Sequence, residues 1–298
     1  MLTALFLLAL SSSLSGSPAS LASAAQGADD PRVIACYALD TRNKPWTKPL
    51  WNGYQVSLGP AADTADNPEA ACTAALTDRE GNIVFRTVGF GTRLDEATGM
   101  DLDGDGSPDV VLVTDTAGGN SCCWEIAAVS LAPKPHELFR YQPAGAFSFR
   151  KDSAGHVVLW STEGGMLAMG YSMAERPFAQ MLFRFIDGNL VNVTPDYRNE
   201  IFNDQRFGPR GPQIPALELS RFRSIGKIAG DDWETALAVF ETALQYAYCR
   251  DLEKAHELIR DDWPAFDQQR ALDVLDAEFR RVWPAPQSAP APHPASGH

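Results

Sequence analysis

A change of hydrophobic period near Gly230 divides this chain into two kinds of structure. Beyond it, Trp233, Leu237, Phe240, Leu244 and Tyr248 recur at steps of four, three, four and four, which places them on one face of a helix. Asp231 followed by Glu234 reads as a capping box at its start. Leu252, Ala255, Leu258 and Ile259 mark a second helix. Leu272, Leu275, Phe279 and Val282 mark a third, with Pro264 near its beginning. Ahead of Gly230, short apolar runs alternate with turn residues. They predict strands over 33–39, 54–58, 83–88, 109–114, 124–130, 137–141, 147–151, 156–161, 181–186 and 190–194. Two hairpins stand out, one turning over 152–155 and one at Asp187-Gly188, a dipeptide suited to a tight turn. The expected fold is therefore β-rich, an antiparallel meander of propeller-like or sandwich-like form, followed by a three-helix pack. The segment 250–258 resembles half of a tetratricopeptide repeat, but one helical pair is too little for an array, which favours helices docked on the β region.

The ends read differently. Residues 2–10 are a short apolar run, and Ala22-Ser23-Ala24 offers small residues at cleavage spacing, so 1–24 is expected to be a signal peptide. The run is far short of the ~20 apolar residues of a membrane span, and no later segment is longer. Residues 284–298 are mostly Pro, Ala and Ser and are expected to be a disordered tail. This leaves a β-rich domain over 30–218 and a helical region over 219–283, with an irregular Gly/Pro-rich connection over 207–215. Export places the chain in the periplasm or outside the cell.

Of the 298 residues, 38 are Asp or Glu and 25 are Lys or Arg, a net charge of −13, and no stretch clusters the basic ones. Nucleic acid and anionic membrane are thereby excluded as partners. The acidic surplus is focused in one motif. Asp101-Leu102-Asp103-Gly104-Asp105-Gly106-Ser107-Pro108-Asp109 precedes the apolar run 110–113. Carboxylates at relative positions 1, 3, 5 and 9, with a main-chain carbonyl at position 7, give the oxygen-only donor set that calcium takes. The absence of His and Cys argues against zinc or copper. Position 12 is Leu112 rather than a bidentate Glu, and a β-branched run follows, so this is not an EF-hand. Asp101, Asp103, Asp105, Ser107 and Asp109 are the candidate ligands of a structural calcium ion.

The order Phe90-Gly91, the acidic loop, then an apolar strand resembles an FG-GAP or VCBS-type repeat of exported bacterial proteins. The resemblance covers roughly residues 90–115. It implies Asp101, Asp103, Asp105 and Asp109 as side-chain ligands and Ser107 as the carbonyl ligand.

The five cysteines are Cys36, Cys72, Cys122, Cys123 and Cys249. In an oxidising compartment some should pair, and the odd number leaves at least one thiol over or an intermolecular bridge. Cys36 and Cys72 flank a loop-rich stretch, and a bridge there would stabilise by roughly 3–4 kcal/mol. Adjacent Cys122 and Cys123 would point to opposite faces of a strand.

No catalytic set emerges. Gly-x-Ser-x-Gly, a phosphate-cradling loop and His-Glu-x-x-His are all missing from the sequence. His136, His156, His256, His293 and His298 form no triad by spacing. Trp46, Trp51, Tyr54, Trp124 and Trp160 are candidates both for core packing and for a sugar-stacking surface. The expected function is a calcium-binding, non-catalytic binding or adhesion-type module, its unknown ligand a glycan or a protein. The alternative is an exported hydrolase of glycans or esters using carboxylates or the bound cation.

Overall fold

The computed structural model describes residues 35–37, 44–61, 72–116, 124–132, 134–164, 177–204, 208–209 and 211–284. The expected signal peptide, tail and Cys122-Cys123 pair lie outside them. Among the described residues, thirteen strands form three antiparallel sheets. The first sheet is a meander of β2 (Trp46–Pro49), β3 (Gln55–Pro60), β4 (Cys72–Thr77) and β5 (Ile83–Gly89). The second orders β1 (Ala35–Tyr37), β6 (Gly91–Leu94), β7 (Val110–Asp115), β8 (Trp124–Ser130) and β9 (His136–Tyr141) side by side. The third is a meander of β10 (Phe147–Lys151), β11 (Val157–Glu163), β12 (Ala179–Ile186) and β13 (Asn189–Asn192). Each of the ten apolar runs read from the sequence contains or overlaps one of these strands. The three unforeseen strands are β2, β4 and β6.

The five-stranded sheet lies between two cores, and β7 shows why. All six of its residues are buried. Side chains alternate across a strand. Val110 and Leu112 therefore join Val56, Leu58, Ala74 and Leu76 of the first sheet in one core. Val111, with Ile126 and Ala128 of β8, joins Leu159, Met181 and Phe183 of the third sheet and the C-terminal helices in another. A strand covered on both faces reads as a continuous apolar run. Cys36 of β1 and Cys72 of β4 form a disulfide, tying the second sheet to the first. The expected pairing is present. Both hairpins turn where expected. Asp187 and Gly188 adopt φ of 49° and 80°, and Gly155 adopts 88° while its N–H donates to the Asp152 carbonyl at 3.0 Å.

Five α-helices follow among the described residues: α1 (Arg198–Asn203), α2 (Ala216–Arg223), α3 (Asp232–Tyr248), α4 (Leu252–Asp262) and α5 (Gln268–Val282). The last three match the three read from periodicity. The first two were not read from periodicity: α1 lies within 30–218, and α2 starts at Ala216. Ile201 of α1 and Cys249 cover the outer face of the third sheet, against Val158 and Leu182.

Helix α3 is buried on most sides, since β12, α2, α4 and α5 all pack on it. Its stripe differs from the expected one. Phe240, Leu244 and Tyr248 are fully buried, but Trp233 in the first turn is 39% exposed. Ala236, Val239, Ala243 and Ala247 complete the buried surface. Small residues of this kind allow a helix to approach a sheet closely, and periodicity of bulky residues does not reveal them. The capping box is not formed. Asp231 caps α3 without a side-chain hydrogen bond, and Asp232 instead faces Arg221 of α2 at 3.1 Å. Asp251 does cap α4, accepting from the Lys254 N–H at 3.1 Å.

Candidate metal centre

Residues 95–109 join β6 to the central strand β7, and their ends are fixed before the acidic residues begin. Ala97 is fully buried, and Leu102 nearly so, in the core shared with the third sheet. Thr98 Oγ1 accepts from the Val111 N–H at 3.0 Å and donates to the Val111 carbonyl at 3.2 Å. The Gly99 N–H donates to the Asp109 carbonyl, and the Asp109 N–H to the Met100 carbonyl, both at 2.8 Å. The acidic turn is thus carried on a rigid base beside the innermost strand.

Within the turn each aspartate shapes the backbone that follows it. Asp101 accepts from the N–H groups of Gly104 (2.7 Å) and Gly106 (3.0 Å). Asp103 accepts from the Asp105 N–H at 3.0 Å, and Asp105 from the Ser107 N–H at 2.7 Å. Gly104 and Gly106 take φ of 81° and 86°, the left-handed region that the sharp curl requires. These bonds coil the loop so that carboxylate oxygens of Asp101, Asp103 and Asp109 lie within 4.8 Å of one another. Asp105 lies outside that group and is exposed. Ser107 enters through the N–H it gives to Asp105.

Asp109 is the unusual member. It is fully buried, its Oδ2 accepts from the Leu102 N–H at 2.7 Å, and its Oδ1 has no hydrogen-bond partner. Burial, reinforced by the nearby charges of Asp103 and Asp105 and opposed by hydrogen bonding to the Leu102 N–H and the Ser130 hydroxyl, pushes its carboxyl up to about 7. Burial also raises the Asp103 carboxyl, with Asp105 and Asp101 adding to the effect. A buried polar atom left unpaired is costly and calls for a partner. A cation held by Asp101, Asp103 and Asp109 would satisfy Oδ1 and neutralise the mutual repulsion of the three carboxylates. The donor set is all oxygen, which suits a hard cation such as calcium. Three of the five candidate ligands, Asp101, Asp103 and Asp109, are thus placed where they could hold a metal ion. Leu102, whose side chain anchors the loop while its N–H holds Asp109, had no sequence signal beyond being apolar inside an acidic run.

One aromatic side chain borders this loop. Trp51, in the turn between β2 and β3, is 40% exposed, and its six-membered ring rests on Gly99. A side chain at Gly99 would come within 3.0 Å of Trp51 Cη2 and 3.1 Å of Cζ2. Elsewhere, two histidines are committed to carboxylates, His156 to Asp152 at 3.1 Å and His256 to Asp276 at 2.6 Å.

Among the described residues, no helix is long and apolar enough to cross a membrane. No protein-family model and no curated protein matches the chain. Among solved structures, it is similar to PliI-Ah, a periplasmic lysozyme inhibitor of I-type lysozyme from Aeromonas hydrophyla. The identity is 14%, over 34% of this chain and 89% of that one, with a TM-score of 0.24, and at that score the likeness carries no argument.

Proposed function

We propose that this chain is an exported, non-catalytic binding or adhesion-type module, periplasmic or extracellular, whose loop over 101–109 holds a structural calcium ion. The observation that carries the reading is the unpartnered Oδ1 of fully buried Asp109, set within 4.8 Å of ligand oxygens on Asp101 and Asp103. In this reading Asp105 and the Ser107 carbonyl add two further oxygens. The ion joins the tip of a long connection to the first residue ahead of β7, so its stabilisation acts on the strand between the two cores. The succession of four-, five- and four-stranded antiparallel sheets supports the FG-GAP/VCBS-like, propeller-like or sandwich-like reading of the β region. The Cys36–Cys72 disulfide supports export into an oxidising compartment.

The test is thermal unfolding with calcium and with chelator. Extracellular sites of this kind bind with Kd on the order of 10⁻⁴–10⁻³ M, so 10 mM calcium should stabilise by roughly 1.4–2.7 kcal/mol. The melting temperature should rise by several degrees, and Asp103→Ala should remove the rise. Superimposable melting curves in calcium and chelator would mean that no such ion is bound.

A further inference from the structure

The proposed ion would not be fully enclosed by protein. Calcium takes six to eight oxygens. Asp101, Asp103 and Asp109 bring one oxygen each into the group. Their remaining capacity is partly engaged: both Asp101 oxygens accept backbone N–H bonds, and Asp109 Oδ2 accepts from Leu102. The Gly104, Asp105 and Gly106 rim is exposed. With Asp105 and the Ser107 carbonyl the protein would supply five oxygens, which leaves one to three positions for oxygens from outside.

The charge of the loop selects what kind of oxygen. Residues 101–109 carry four carboxylates and no Lys or Arg. A dication leaves two negative charges, in a chain of net charge −13. A ligand carboxylate would meet repulsion, whereas a neutral hydroxyl pair would not.

Trp51 supplies the second contact. Its half-exposed ring stands on Gly99, two residues before Asp101 and hydrogen-bonded to Asp109. The turn that presents it is braced: Arg79 Nε donates to the Asn52 carbonyl at 2.5 Å, and the Arg79 side chain fills the space beside Gly53. A half-exposed aromatic ring against Gly99, two residues before a loop that would hold a cation, suits a pyranose, which has an apolar C–H face and adjacent hydroxyls on its edge. We infer that this surface binds neutral carbohydrate, a vicinal diol completing the coordination of the ion while the sugar ring lies against Trp51. The inference rests on the calcium reading above.

The experiment uses the full chain and two probes, methyl α-D-mannopyranoside and methyl β-D-galactopyranoside, which carry differently oriented vicinal diols. Binding is followed by saturation-transfer NMR, in calcium and in chelator. At least one glycoside should give ring-proton signals in calcium, with Kd on the order of 1 mM, and lose them in chelator. Trp51→Ala should weaken binding by about tenfold or more while keeping the calcium-induced rise in melting temperature, which shows that fold and ion are intact. Trp51→Phe should retain binding. The inference is overturned if the calcium-induced rise is present and neither glycoside binds. It is equally overturned if binding persists in chelator or in Trp51→Ala. Loss of the calcium-induced rise in the unmodified chain is a separate result, and it removes the calcium reading itself.

Discussion

Gln245 of α3 completes the backbone of Gln180 on β12. Its Oε1 accepts from the Gln180 N–H at 2.7 Å, and its Nε2 donates to the Gln180 carbonyl at 3.0 Å. The pairing answers a defect in the sheet. Strand β13 reaches back along β12 only as far as Phe183, so the bonding groups of Gln180 and Leu182 on that side have no strand to meet. Thr194 Oγ1 and the Val193 N–H take those of Leu182, and the Gln245 amide takes those of Gln180. Buried backbone polar groups need partners, and here a side-chain amide reproduces the donor and acceptor of a missing strand residue.

Replacing Gln245 by Leu therefore strands one N–H and one C=O in the core. The loss should be about 2–4 kcal/mol, on the scale of ~1–3 kcal/mol per buried unsatisfied group. Urea unfolding of the variant against the parent chain checks this. Because α3 and the third sheet share one core, helical and tryptophan signals should still fall together, at a lower midpoint. A cooperatively melting helical fragment over 212–283 would contradict that coupling.

Asp109→Asn removes a charge that burial disfavours and keeps an acceptor for the Leu102 N–H. In chelator the variant should be at least as stable as the parent chain, because burial disfavours the ionised carboxylate. In calcium the order should reverse by roughly 1–3 kcal/mol. Paired melting curves in the two buffers read the crossover.

Removing the Cys36–Cys72 bridge frees a connection whose ends are 36 residues apart. Chain entropy predicts a loss of roughly 4 kcal/mol for the Cys36→Ala, Cys72→Ala double variant. The bridge joins two sheets, so the first sheet should also become sensitive to proteolysis under native conditions. Limited digestion with mass mapping tests that outcome.

Cys249 carries no disulfide and is buried at the C-terminal end of α3, and burial pushes its thiol up to about 11. An unfolded thiol ionises near ~8.5, so between these values the folded chain holds a proton that the unfolded chain releases. The resulting stability is fully present below the unfolded value and is lost as pH rises through about 11. Alkylation resolved by peptide mapping should leave Cys249 unmodified in the native chain at pH 8.5 and modify it rapidly in urea. Equal rates would show that the site is open.

Most strands were legible because their apolar runs are long or sharply bounded, as in 110–113, whose doubly buried character is written in four consecutive aliphatic residues. The missed strands lack that signal. Strand β4 reads Cys-Thr-Ala-Ala-Leu-Thr, whose small residues serve close packing rather than bulk. Strand β2 holds Lys48 and Pro49 at a sheet edge, and β6 is four residues long with a glycine. The acidic loop was legible because carboxylate spacing determines a turn directly. Its contact with Trp51 was not, because that meeting depends on how the first sheet stacks on the second. The hydrogen bonds of Gln245 were equally hidden, since a glutamine inside a helical stripe carries no mark of the strand it will complete.

That glutamine also imposes an order on assembly. It lies 65 residues beyond its partner, and in a chain that emerges N-terminus first the whole β10–β13 meander is available before it arrives. Until then β12 keeps an open notch at Gln180, able to accept any passing amide or strand edge. The third sheet is finished only by the last quarter of the polypeptide. A ribosome stall or premature stop before α3 would release a chain whose sheet still seeks another partner, and self-association is the expected fate of such truncated products.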